Sequence, residues 1–428
     1  MGTPAKPPTP VTPQAPGPHE HRFPVMDVDA FVAHVLDDTA PLDELELTLL
    51  DAHGGVLARD VVAREALPAF DRVSYDGYAV RMADITAAAG GSPVRLPVFG
   101  TVEPGPGAGF AVTDGMAVRV RAGSAAPPGT ETVVPTSWTD DGASSVSVTR
   151  PTAPGSGIQR AGSELAAGAV ALAAGTYLRS AQIGLLAAVG VSRAVMHPRP
   201  RVVVLASGTE FVQPDSVRRT GESYDVNSLS LTTAAVEAGA LAYRVGLVPD
   251  SRKLLDMLED QLVRADCVIA TVGASAASQQ ALSDVIRRLG TVRTERLAVE
   301  PGGSVTYGRI GFDDTHYFGL PGDPASALVA FEVLVRPALR RMLGSTQVQR
   351  PLVRARLTAT LRSSAGLRSY VPAWLDVRDN SYVISPTGSP AQLASYGRAN
   401  ALIVVDAATT EVPEGTAVTA LLLERRNP

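Results

Sequence analysis

From Arg199 to Gly344 the chain alternates short, continuously apolar runs with stretches of helical periodicity. No other feature limits its fold as strongly. RVVVLAS precedes the helical NSLSLTTAAVEAG, ALAYRVGLVPD precedes SRKLLDMLEDQLVRA, and DCVIATVG precedes SQQALSDVIRRLG. RTERLAVEP, SVTYGRIG and THYFGL then lead into a last long helix. Apolar strands without polar alternation are covered on both faces, so the pattern predicts a mainly parallel sheet inside a three-layer α/β domain. Ligands of such sheets sit at the carboxyl ends of the strands. Those ends fall at Ser207–Glu210, Thr271–Ser275 and Gly319–Asp323.

The last unit, His316 to Gly344, reads as strand, tight loop and helix. Pro321 and Gly322 break the strand, Asp323 stands at the N-cap, and Pro324 takes the first helical position, where its missing N–H costs nothing. Ala327, Leu328, Phe331, Leu334, Val335, Leu339 and Leu343 recur at helical spacing and face a core. A helix opening at a strand's carboxyl end presents free N–H groups and partial positive charge to an anion.

The rest of the chain differs. With 428 residues it exceeds a single core, and 45% hydrophobic with 19% charged residues supports folded domains throughout most of it. Residues 1–22 are Pro-rich with almost nothing apolar and read as a disordered tail. Residues 23–60 and 150–198 read as a helical and β linker domain, with helices near Phe31–Leu36 and Gln182–Gly190. Residues 61–149 carry short strands punctuated by Gly and Pro and read as an inserted β-rich module, 199–345 form the α/β domain, and 346–428 read as a C-terminal β-barrel or sandwich. A net charge of −5 without a basic tract argues against nucleic acid or anionic membrane as partner. No apolar run reaches the ~18 residues of a membrane span and no signal-peptide core is present, so a cytoplasmic location is expected. The single cysteine, Cys267, excludes an intramolecular disulfide and reads as a buried thiol.

Candidate chemistry is sparse. Asp76 in SYDGYAV can ligate a metal, act as a base, or simply make an Asp-Gly turn. Glu210 follows a buried strand where ligands bind, while Asp225 and Asn227 stand where helix caps belong. In TVGASAAS, Gly273 lets backbone N–H groups approach an anion, but the order is not that of a phosphate-binding loop. The six histidines are too dispersed to form a metal cluster.

In order and spacing, LPAFDRVSYDGYAVRMADI, AVRVRAGSAAPPGTETVV, HPRPRVVVLASGTEF with YDVNS, GLPGDPASALVAFEVLVRPAL and SPAQLASYGRANALIVVDA resemble the molybdopterin molybdenumtransferase family, which includes the E domain of gephyrin. The resemblance spans roughly residues 25 to 425. It implies an elongated homodimer of four-part subunits with its site at the dimer interface. The implied reaction is molybdate insertion into adenylylated molybdopterin, with magnesium. It assigns Asp76, Glu210 and Asp225 to catalysis and to the metal, and Ser207, Asn227, Gly273, Ser275, Gly319, Pro321, Gly322, Asp323, Pro324 and Ser326 to the pterin.

Several family positions are replaced. The threonine of M-T-G-A is Ala122, the aspartate of the T-G-G-V-S-V-G-x-x-D loop falls on Gln280, K-P-G-K reads Glu300, Pro301, Gly302, Gly303, and the asparagine of G-N-P is Asp323. Glu300 and Gly303 in place of two lysines change local charge by about −3, and a unit pair near 4 Å is worth roughly 4 kcal/mol at an effective dielectric of 20. The expectation is a member of molybdenum cofactor synthesis whose activity is reduced or lost. The alternative is a non-catalytic dimeric scaffold that binds a protein or peptide partner.

Overall fold

The computed structural model describes residues 25–106, 109–247 and 251–423; the tail expected over 1–22 lies outside them. The described residues divide into two compact units, one drawn from 25–45, 54–56 and 197–423, the other from 46–53 and 57–196.

The first unit contains a seven-stranded sheet in the order Val25–Met26, Gly290–Leu297, Ser304–Ile310, Thr315–Leu320, Cys267–Val272, Arg201–Ser207, Leu241–Leu247. Only Ser304–Ile310 runs against the rest, so the sheet is mainly parallel as expected. Strand alternation sorts its apolar residues into two layers. Val202, Val204, Ile269 and Phe318 pack with Phe31, Leu231 and Leu339 on one face. Val203, Leu205, Val268, Ala270 and Tyr317 pack with Leu258 and Val285 on the other. Burying each such side chain contributes about 1.5–3 kcal/mol, which is why the continuous apolar runs end up between helices.

The closing helix forms where its spacing predicts, but not as one regular α-helix. Pro324–Ala330 and Arg336–Met342 are α-helical, and Phe331–Val335 between them is a π-turn. The widened turn follows an unbroken apolar periodicity, so the pattern alone does not show it. In the same unit, five C-terminal strands close into a barrel, because Arg368–Arg378 pairs with both Ser381–Pro386 and Ala401–Val405. Its interior is filled by Leu357, Val371, Leu375, Ile384 and Ile403. Val299–Glu300 runs alongside Arg368 and Ser369 at the barrel edge.

The second unit holds a five-stranded sheet in the order Ser145–Val148, Val94–Val102, Ala117–Val120, Gly77–Val80, Thr132–Pro135, which is the β-rich module. Its longest helix among the described residues runs over Ser180–Ala188, two residues earlier than the apolar run suggests, and seats Leu186 against Val189 and Met196. Among the described residues no helix is long and apolar enough to cross a membrane.

Candidate functional site

Three strand ends of the first unit meet around the turn Gly319–Gly322. After Arg201–Ser207 the chain carries Glu210 across to the end of Cys267–Val272. There Glu210 Oε1 accepts the Ala274 N–H at 2.7 Å, while Ser207 O accepts the Gly273 N–H at 2.8 Å. A Cβ on Gly273 would lie 2.0 Å from Glu210 Oε1, so only glycine lets the carboxylate close over this loop. Glu210 Oε2, Asn227 Oδ1 and Thr271 Oγ1 are buried without hydrogen-bond partners in the same region.

Most of the remaining polar residues are consumed by local capping. Asp225 is 2% exposed; it accepts the Ser228 N–H at 3.0 Å and the Ser228 hydroxyl, and lies 3.7 Å from Arg244. Asn227 donates to Gly322 O at 2.8 Å and so ties the helix Asn227–Glu237 to the turn. Ser275 caps Ala276–Leu289 by accepting from Ser278 N. Asp323 Oδ2 accepts both the Ser326 N–H at 2.9 Å and the Ser326 hydroxyl at 2.8 Å, with Pro324 in the first turn. The helix N-terminus at the strand end therefore already holds a carboxylate. Gln280 donates to Asp284 one turn on. Glu300 Oε2 accepts Ser369 Oγ–H at 3.1 Å and Ser364 N–H at 3.4 Å, both from the barrel. A Cβ on Gly303 would meet Pro321 at 3.0 Å.

The carboxylates assigned to a metal each have partners within their own unit. Asp76 belongs to the second unit, where Ala122 N–H donates to Oδ1 and Arg121 to Oδ2, both at 2.8 Å; these bonds hold its carboxyl below the usual range. Asp225 is a helix cap paired with Arg244, and Glu210 has one oxygen on a backbone amide. Magnesium requires near-octahedral oxygen ligands, and among the described residues no three His, Cys, Asp or Glu side chains come together to hold an ion.

Two clefts flank the turn and share Gly322. One, of about 450 Å³, is lined by Phe211, Tyr224, Arg218, Asp225, Asn227 and Pro324, with the Arg218 guanidinium 5.9 Å above the Tyr224 ring. The other, of about 510 Å³, is lined by Tyr317, Gly319, Pro321, Ser304, Thr306 and Arg287, among others. Asn227, Gly319, Pro321, Gly322 and Pro324 line these clefts, whereas Ser275, Asp323 and Ser326 serve the helix caps. Phe211, Arg218, Tyr224 and Tyr317 were not singled out. The signal for Tyr317 is its position two residues before Gly319 on one strand, which puts both on the same face.

Loops at the carboxyl ends of a mainly parallel sheet, flanked by clefts and joined to a barrel, define a ligand-binding α/β protein. Three family models match in order: the MoeA N-terminal region (domain I and II) over residues 26–190, the probable molybdopterin binding domain over 203–341, and the MoeA C-terminal region (domain IV) over 354–423. Molybdopterin molybdenumtransferase 1 of Mycobacterium tuberculosis is 36% identical over 402 residues, covering 89% of this chain and 94% of that protein. Molybdopterin molybdenumtransferase 2 of the same organism is 34% identical, covering 87% and 93%. The crystal structure of the molybdopterin biosynthesis moea protein from Pyrococcus horikosii superposes with a TM-score of 0.79 at 27% identity, covering 94% of this chain and all (100%) of that one. The chain belongs to the molybdopterin molybdenumtransferase family.

Proposed function

We propose that this chain binds adenylylated molybdopterin at the clefts around Gly319–Gly322 and inserts molybdate into it slowly. The relatives that span nearly the whole chain carry that transferase name, which supports the reaction class. The observation that carries the slow rate is the Asp323 carboxylate, which accepts both the N–H and the hydroxyl of Ser326. An anion arriving at this helix start meets a negative charge and finds one backbone donor already taken. The aromatic cleft formed by Phe211 and Tyr224 suits a flat heterocycle, and Arg218 suits its negative charge. This reading routes no step through magnesium. The working unit is a homodimer, as the family resemblance implies, and its mass in solution checks this directly.

Calorimetry with adenylylated molybdopterin, followed by a molybdate-insertion assay on the same sample, tests the reading. Weak binding with slow turnover is expected. Absence of both overturns it and leaves the partner-binding scaffold. Asp323→Asn keeps a good N-cap, so stability should move by less than about 0.5 kcal/mol while ligand affinity rises several-fold. Glu300→Lys with Gly303→Lys should raise affinity further, by about tenfold, because opposite charges replace like ones near the ligand. That variant loses the Ser364 and Ser369 bonds, and a melting temperature lower by a few degrees is its expected side effect.

A further inference from the structure

We propose that a third cleft, where the α/β domain meets the barrel, binds a small molecule with an apolar body and one carboxylate, and that Arg350 holds the carboxylate. The site stands apart from the reaction proposed above. All of its lining belongs to the first unit, and none of it lines either cleft beside Gly319–Gly322.

The cleft holds about 480 Å³, within the range of small-molecule sites, roughly 300–1,000 Å³. Its walls are mostly apolar. Leu229 and Ala234 come from the helix Asn227–Glu237, Leu328 and Val329 from Pro324–Ala330, and Leu402 and Leu423 from the barrel side. The hydroxyls of the lining are already committed to backbone carbonyls. Thr233 donates to Leu229 O at 3.0 Å, Tyr396 to Pro390 O at 2.9 Å and Ser230 to Asn227 O at 3.4 Å.

Arg350 differs from them. Its side chain is 9% exposed, and a guanidinium carries five N–H donors. Nε and one terminal nitrogen each give a hydrogen to Glu332, and the other terminal nitrogen donates to the Leu423 carbonyl. Two of the five N–H groups therefore meet no acceptor within hydrogen-bond distance among the described residues. Glu237 stays 4.0 Å away, with a side chain that is 60% exposed. Buried donors of this kind, in a cleft of small-molecule size, are what mark the place for a ligand acceptor.

The chemistry of that acceptor follows from the lining. A carboxylate is planar and offers two oxygens to a guanidinium fork. Arg350 is the single cation of the lining, so it matches one negative charge. Glu332 adds little repulsion, because both its oxygens are on Arg350 and Arg336 lies 3.8 Å away. Glu237 stands in water at the rim, where its charge is screened. A ligand amine would instead face the buried guanidinium. The hydrocarbon part of the ligand rests on the leucines.

Titration of the full chain with octanoate, and separately with octylamine, tests the assignment. Octanoate should bind at one site per chain, and octylamine at least tenfold more weakly. Glu237→Gln removes a competing carboxylate at an exposed position and should tighten octanoate binding several-fold. Leu229→Trp, at a position 43% exposed, should fill the cleft and abolish binding while the melting temperature stays level. The double variant Glu332→Leu with Arg350→Met removes the fork and should lose the preference for octanoate over octylamine. Failure of the wild type to bind octanoate, octylamine binding as tight or tighter, or unchanged octanoate affinity in Leu229→Trp overturns the proposal.

Discussion

Replacing Glu332 by alanine should destabilise the protein by about 3 kcal/mol, the lower end of the cost of breaking a buried ion pair, since Arg350 keeps Glu237 at 4.0 Å. Glu332 sits in the π-turn, and both its oxygens receive Arg350, from Nε at 2.8 Å and from the second guanidinium nitrogen at 2.7 Å. The two side chains are only 10% and 9% exposed, and Arg336 lies 3.8 Å away on the next turn. Deleting the carboxylate takes the two-pronged partner from Arg350 and leaves it the Leu423 carbonyl and Glu237 at 4.0 Å. Thermal melting of the full chain should fall by about 3–5 °C. The double variant Glu332→Leu with Arg350→Met should recover much of that loss, since it removes the Arg350 charge along with its partner. A shift under about 2 °C in Glu332→Ala would show that this pair contributes little and that the cluster is solvated.

Acid should destabilise the first unit through His316 before any of its perturbed carboxylates titrate. The ring is 6% exposed; burial first, then the Arg309 charge, pushes its pKa down from 6.5 to about 4, against the opposing pull of Asp38. Tyr307 gives its single proton to Asp38 at 2.5 Å, so the neutral imidazole carries hydrogen on Nδ1 and donates to the phenol oxygen 3.2 Å away. In the unfolded chain the ring protonates near 6.5, while in the folded chain it resists until about 4. The contribution is therefore complete above pH 6.5 and lost as pH falls to 4, by roughly 3 kcal/mol in total. Two carboxylates in the unit fall outside that window. The Arg368 hydrogen bond holds Asp29 below 3.8; for Asp38, burial opposes the shift, but the Tyr307 and Arg309 bonds outweigh it. Denaturant midpoints measured between pH 7 and 4 should slope downward in the wild type and flatten in His316→Asn. An equal slope in both would place the acid sensitivity elsewhere.

Neither effect was legible in the sequence, for a shared reason. Glu332 meets Arg350 from 18 positions away, and Asp38 meets Tyr307 from 269, so the charge environment of each group depends on distant chain. The apolar periodicity of FEVLV likewise does not distinguish an α-turn from a π-turn. What periodicity did expose was the order of strands and helices in the α/β segment. The family resemblance, carried by ordered motifs such as SYDGYAV and GLPGDPAS, is upheld by relatives that span nearly the whole chain. Short-range contacts act at the opposite scale. Asp225 was rightly suspected as a cap, and its carboxylate is taken by Ser228, three residues away.

The sequence by itself therefore determined the layered architecture, the family, and the carboxylate at the start of the closing helix. Each depends on short-range rules, namely side-chain alternation along strands, apolar spacing along helices, and a cap that reaches three residues forward. Only the tertiary structure decided which polar groups remain available. Glu210 closes on Ala274 from 64 positions away, and Glu300 turns to Ser369 from 69 away, so both are engaged within the protein. A hydrogen bond is settled by distances of a few ångströms between segments that lie far apart in the chain, and folding alone sets those distances.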